Sequence, residues 1–268
     1  MKYIILTILL STLISCQTKQ AAPDLALQDA QGIQAEALPA NTLKILDHKY
    51  FVVMYDTKYR LARYVVYDLT AEQIRKSRPG TRKDSFRQDP LLKGEPSVVR
   101  VTEYANSGYD KGHLANSADF TFEPEANRAT FLMSNMVPQK PLLNQQAWRF
   151  LEDQVRLWAC GEKKIKVITG PVLKAGLPTL KSGLPVPQEF FKIVLDETPP
   201  KKMLAFIYTQ EDSEDVMAKR EVNLKDLRQK VFPQMAKESF SSYPIVPISN
   251  WKSEDCSPKS KNKRIVGR

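Results

Sequence analysis

The stretch that most restricts what this 268-residue chain can fold into runs from residue 97 to residue 160. A strand-like segment, 97–104, breaks at Asn106-Ser107-Gly108, and Tyr109-Asp110-Lys111-Gly112-His113-Leu114 follows at once. The short apolar run Phe131-Leu132-Met133 then leads into Ser134-Asn135-Met136-Val137-Pro138-Gln139. From 143 to 160 the spacing predicts the best helix of the chain. Leu143, Ala147, Leu151, Val155 and Trp158 recur at intervals of four and three, an apolar stripe made for a core. Asn144, Trp148, Glu152 and Arg156 form the adjoining row at intervals of four, which sends Asn144, Glu152 and Arg156 toward one neighbourhood. Trp148 reads as core packing or support for the site, with base stacking as the alternative.

These residues set out a general base, a neutral amide oxygen and a carboxylate in order. Only two histidines occur, His48 and His113, and an imidazole with a reference pKa of ~6.5 can take a proton from water near neutral pH. By its residue type alone Asn144, at the start of a helix, is more often a cap; its side-chain oxygen also suits a hard cation, since Mg²⁺ keeps several waters and takes one or two protein ligands. The formal charge of +10 favours polyanions, nucleic acid first and anionic lipid headgroups second. No Cys/His cluster with zinc spacing is present. Together the set suits metal-assisted cleavage of a phosphodiester. Cleavage is then expected to fall as His113 protonates, below a pH of ~6 to 7.

The same three blocks resemble the active-site region of the DNA/RNA non-specific endonucleases of the ββα-metal group, the family of endonuclease G. Its signature appears here as Asp110-Lys111-Gly112-His113-Leu114, Asn135-x-x-Pro138-Gln139 and Leu143-Asn144-Gln145-x-x-Trp148-x-x-Leu151-Glu152. The departure is Lys111, where the family carries Arg; the charge is kept but the planar two-oxygen fork is lost. The resemblance implies an α+β fold with a central, mainly antiparallel sheet flanked by helices and a ββα-metal finger as the site. It implies His113 as the base, turned toward the phosphate by the backbone around Gly112, and Asn144 as the direct ligand of Mg²⁺ (or Mn²⁺). Glu152 would accept hydrogen bonds from the waters around that ion, and Asp110 would do likewise or orient the loop. Arg156 and Lys111 would stabilise charge on the phosphate, and Asn135 would be a supporting polar residue in the site. DNA and RNA are the implied substrates, with 5′-phosphate products. A non-catalytic nucleic-acid-binding lipoprotein on a decayed nuclease fold is the alternative, and a small-molecule phosphodiesterase is a third.

The rest of the chain frames this site. Residues 51–55, 64–67, 165–169, 190–195 and 204–208 are β-branched and aromatic and read as strands. Thr70-Ala71-Glu72-Gln73 resembles a capping box, and 222–235 reads as a helix. The basic loop 75–93, with Arg78, Arg82, Lys83 and Arg87, suits either a phosphate backbone or plain solvation. At the amino terminus, one charge precedes an apolar run, 4–14, that ends Leu13-Ile14-Ser15-Cys16. At about a dozen residues it is shorter than the ~20 that span a bilayer, and it reads as a secretory signal. Its ending resembles a bacterial lipobox, which implies lipid on Cys16 and a place on the cell envelope (outer membrane or periplasmic face) or outside the cell. The expected organisation is signal 1–15, lipidated Cys16 with a tether to 40, a nuclease domain 41–250 and a basic tail 251–268. Cys160 and Cys256 remain as an even pair, either a disulfide or two buried thiols. No feature of the sequence fixes an oligomeric state.

Overall fold

The computed structural model describes residues 42–258, apart from 79, 81–83, 232–234, 236–239 and 241. The signal segment, Cys16, the tether, Arg82, Lys83 and the tail from 259 lie outside the described residues. In chain order the elements are β1 (Leu43–Asp47), β2 (Val52–Asp56), β3 (Leu61–Thr70), α1 (Ala71–Arg75), β4 (Asp110–His113), α2 (Pro124–Ala129) and β5 (Met136–Gln139). They continue as α3 (Trp148–Glu162), β6 (Lys164–Pro171), β7 (Glu189–Asp196), β8 (Lys202–Thr209), α4 (Met217–Arg220) and α5 (Leu224–Lys230).

Six strands form one antiparallel sheet in the order β1-β2-β3-β6-β7-β8, and β4 pairs with β5 in a separate two-stranded ribbon. The expected α+β class is the one observed. Strand β3 pairs with β6 from Val65↔Thr169 to Thr70↔Lys164. Everything from residue 71 to residue 163 is therefore one excursion, leaving and re-entering at the same end of two neighbouring central strands. That excursion carries the ribbon, α2 and α3, and with them the site. The sheet is buried on both faces. Tyr67, Val167, Phe190 and Phe206 pack against Leu151, Val155 and Trp158 of α3, while Val66, Ile168, Phe191 and Ile207 pack against Leu227 and Val231 on the opposite side. Burial on both sides explains why these strands read as continuous apolar runs rather than alternating ones.

Three local expectations change. Residues 97–104 make no strand. Ser97 is tied through its carbonyl to the Tyr55 hydroxyl (2.8 Å), Glu103 accepts the Arg100 N–H (2.8 Å) and pairs with Arg60, and Val101–Tyr104 is a 3₁₀ helix. Side chains thus take the roles that a ladder would have filled. The helix expected over 222–235 is Leu224–Lys230 among the described residues, opened by an Asn223 cap on Asp226 N–H. The helix expected from Leu143 opens instead with a π turn, Leu143–Ala147, in which the Trp148 N–H reaches back five residues to the Leu143 carbonyl. The capping box is present: Thr70 Oγ1 accepts the Gln73 N–H (3.2 Å) and Gln73 Oε1 accepts the Thr70 N–H (2.8 Å).

Cys160 and Cys256 are bonded, with Cα atoms 5.7 Å apart. Trp251 packs against Trp158 (5.8 Å), and the Lys252 N–H donates to Glu162 (2.6 Å). A Cβ on Gly161 would lie 2.1 Å from the Lys252 carbonyl oxygen, so glycine is what lets this segment lie against α3. No helix among the described residues is long and apolar enough to cross a membrane.

Candidate active site

The β4–β5 ladder pairs Asp110 with Gln139, Lys111 with Pro138, Gly112 with Val137 and His113 with Met136. Two of the three sequence blocks are thus the two strands of one ribbon, and their register explains why they travel together. A Cβ on Gly112 would lie 2.0 Å from Gln139 Oε1, because the buried Gln139 side chain fills the space beside it. The third block, the π turn and α3, closes the site from the other side.

His113, Asp110, Lys111, Asn144, Glu152 and Arg156 all line one cleft of roughly 790 Å³. His113 is buried against Phe131, edge-on at 4.9 Å, and Phe86 at 5.9 Å. Such packing fixes the ring plane. Asp110 Oδ2 accepts from Asn144 Nδ2 (2.9 Å) and from Gln145 Nε2 (2.8 Å). With its NH₂ committed to Asp110, Asn144 is left to present its oxygen elsewhere, which is the orientation a cation needs. Asp110 is the residue that orients Asn144.

Glu152 is 8 % exposed, and its Oε1 has no hydrogen-bond partner among the described residues. Burial, with Asp119 and Asp153 beside it, outweighs Lys192 and Arg156 and lifts its carboxyl to about 8. An orphaned carboxylate oxygen and an oriented amide oxygen on the same cleft fit a hard cation held largely through water. The described residues hold no group of three or more His, Cys, Asp or Glu side chains poised for a metal. Asn144 and Glu152 therefore carry the fit.

Arg156 donates to Asp119 Oδ1 (3.1 Å) and pairs with Asp153 one turn back. Asp119 is buried and also accepts the Tyr67 hydroxyl (2.8 Å). It fixes the Arg156 guanidinium, and sequence reasoning assigned it no role. Nothing in its spacing marks it, since its partner lies 37 residues away. Arg149 lines the cleft as well and was likewise not singled out. The Lys111 ammonium sits 4.7 Å from the Phe86 ring centre and 5.9 Å from that of Tyr104. An aromatic frame thus steers the lysine that stands in place of the family arginine.

One expected placement is corrected, that of Asn135, and the reading of Trp148 as core packing holds. Asn135 does not face the cleft. It is fully buried, accepts the Ala115 N–H (2.8 Å) and donates to the carbonyls of Ala115 (3.0 Å) and Thr130 (2.8 Å). Its support is mechanical, a clamp on the chain just after His113. Trp148 is core: it meets Phe190 (6.2 Å) and Tyr208 (5.7 Å) edge-on, which removes it from any stacking on a base. In the basic loop, Arg87 donates to the carbonyls of Ser85 and Arg128.

The family description "DNA/RNA non-specific endonuclease" matches residues 29–233 of this chain. A nuclease of Nostoc sp. is 36 % identical over 157 residues, covering 59 % of this chain and 55 % of that protein. Human mitochondrial endonuclease G is 33 % identical over 162 residues, 55 % of this chain and 52 % of its own. Nuclease C1 of Cunninghamella echinulata is 30 % identical over 175 residues, 59 % of this chain and 67 % of its own. The chain spans about half the length of the first two. Among solved structures, the EndoG/EndoGI complex superposes with a TM-score of 0.63 at 23 % identity, covering 75 % of this chain and 89 % of that one. The ribbon-and-helix site and the fold of that neighbour agree with the match along the sequence, and the chain belongs to the DNA/RNA non-specific endonuclease family.

Proposed function

We propose that this protein is a sequence-non-specific endonuclease that hydrolyses phosphodiester bonds of DNA and RNA, leaving 5′-phosphate ends. The observation that carries the reading is the convergence of His113, Asn144 and Glu152 on one cleft, with Asp110 turning the Asn144 amide. His113, held by Phe131 and Phe86, takes the proton of the attacking water. Lys111 and Arg156 hold the phosphate oxygens, Arg156 being fixed by Asp119 and Asp153. Glu152 gathers the hydrogen bonds of water around the cation through its unpartnered Oε1. Asn144 would hold a divalent cation, Mg²⁺ in this reading and Mn²⁺ as its substitute, which when bound would supply positive charge against the charge that grows on the phosphate. Contacts of this kind go to phosphate and sugar and read little of base identity. In the same reading, lipid on Cys16 holds the enzyme on the cell envelope; the Cys160–Cys256 bond supports an oxidising location.

The test uses purified protein without residues 1–16, plasmid DNA and a folded RNA, with Mg²⁺ or EDTA, beside His113→Ala. Degradation of both substrates only with metal, abolished in the variant while binding persists, is the expected result. Intact substrates under every divalent cation would remove the reading. For the anchor, labelled palmitate should enter the full-length protein in a bacterial host and be lost in Cys16→Ser.

A further inference from the structure

A phosphate is held best by an arginine whose charge no carboxylate has neutralised and whose N–H donors are still open. The α3 wall of the cleft carries two arginines that differ in this respect. Gln145, Arg149 and Asp153 recur at intervals of four along that wall, with Arg156 three further on, and all four line the cleft. Arg156 has two acids, Asp119 at 3.1 Å and Asp153 beside it. Asp153 also stands at the i,i+4 spacing from Arg149 at which an ion pair could form, yet it turns to Arg156. Arg149 therefore keeps its charge. Among the described residues no carboxylate pairs with it and no hydrogen bond engages its donors.

What does hold Arg149 is aromatic. Its guanidinium carbon sits 5.5 Å from the centre of the neighbouring Phe150 ring, itself left 38 % exposed. Such a contact acts on the charge and occupies no ordinary acceptor, so the five donors of the planar guanidinium remain for an outside group. The ribbon wall is its complement. There Lys111 is framed by Phe86 and Tyr104, likewise without a carboxylate among the described residues, and it has no planar fork. The fork that the ribbon lacks is present on the helix. Arg149 follows Asn144 by five residues, roughly 7 Å along a helix that rises about 1.5 Å per residue. Successive phosphates of one duplex strand are about 3.4 Å apart along the axis. An arginine so placed meets a phosphate beside the one being cleaved.

We propose that Arg149 is a substrate-binding residue: its unpaired guanidinium grips a backbone phosphate flanking the scissile one, from the helix wall of the cleft. The proposal rests on the nuclease reading for the identity of the polyanion. It separates the two arginines of α3 by task. Arg156, fixed by Asp119 and Asp153, belongs to the reacting phosphate, and Arg149 to the hold on the strand around it.

The experiment measures binding of a short fluorescein-labelled DNA duplex to the metal-free protein in EDTA, over a range of KCl concentrations. Each phosphate contact contributes about 0.9 to the slope of log affinity against log salt. Arg149→Gln is expected to weaken binding several-fold at low salt and to lower the slope by about one such contact. Arg149→Lys should keep the slope and recover part of the affinity. Arg228→Gln makes the same charge change at an exposed residue of α5, which packs on the opposite face of the sheet, and should leave the slope at the wild-type value. In cleavage assays with Mg²⁺, Arg149→Gln should raise KM several-fold with little change in kcat. A wild-type slope in Arg149→Gln, an equal fall in Arg228→Gln, or a loss confined to kcat would overturn the proposal. A wild-type protein that binds the duplex but cleaves nothing under any divalent cation would end the nuclease reading, while the slopes in EDTA would still decide the role of Arg149.

Discussion

Asp110 accepts two amide donors, and that decides which atom of Asn144 can turn to the cleft. The consequence is measurable. Asp110→Ala should leave the ribbon folded, since β4 pairs through its backbone, yet free the Asn144 amide to rotate. Loss of a group that orients a ligand typically costs 10–100-fold in metal affinity. The Mg²⁺ concentration for half-maximal cleavage should therefore rise by about that factor; an unchanged midpoint would remove Asp110 from this role. His113, Asn144 and Glu152 are legible as residues because their chemistry is unusual in their blocks. Asp119 is not, because its value comes from Arg156 and Tyr67, and both partners arrive through the fold.

The ribbon and its supporting loop stand or fall through contacts between elements. His48, in the turn between β1 and β2, approaches Asp89 within 2.9 Å, and Ser134, just before β5, donates to the same carboxylate. Burial raises the Asp89 carboxyl, but the contacts with His48, Ser134 and the Leu91 N–H outweigh it and hold the group below its ordinary 3.8. For a depressed carboxyl, the unfolded chain binds protons more readily, so the stabilisation is complete above the unfolded value and is lost as pH falls through the folded one. Asp89→Asn should thus lower the melting temperature at pH 6, and the gap to wild type should narrow on acidification toward pH ~3. A gap that stays constant over that range would show the contribution to be packing alone. The second histidine, which sequence reasoning left without a role, is therefore a tie between the sheet and the finger.

For the whole molecule, the disulfide closes a separation of 96 residues and fastens the end of the described chain to α3. Ser257 and Pro258, just beyond it, reach the cleft wall. Cross-links of this kind typically contribute 2–4 kcal/mol. Replacing both cysteines by serine should lower the urea midpoint by roughly that amount divided by the denaturant slope. If the midpoint does not move, the non-covalent contacts of this segment, Trp251 on Trp158 and the Lys252 N–H on Glu162 among them, suffice to hold it.

By itself the sequence determined the main strands of the sheet, the amphipathic helix and which functional groups the three blocks contain. These are local properties, set by side-chain periodicity and by which functional groups a short stretch contains. Tertiary structure decided the rest. That β4 and β5 are one ribbon depends on pairing residues more than twenty apart, and a segment such as 97–104 loses its strand when distant side chains satisfy its polar groups. Whether Asn135 faces the cleft or clamps the chain, and whether Lys192 is an exposed cation or a buried one, depends on what packs around each residue. Charge and hydrogen bonding act through space, and only the folded chain fixes those distances.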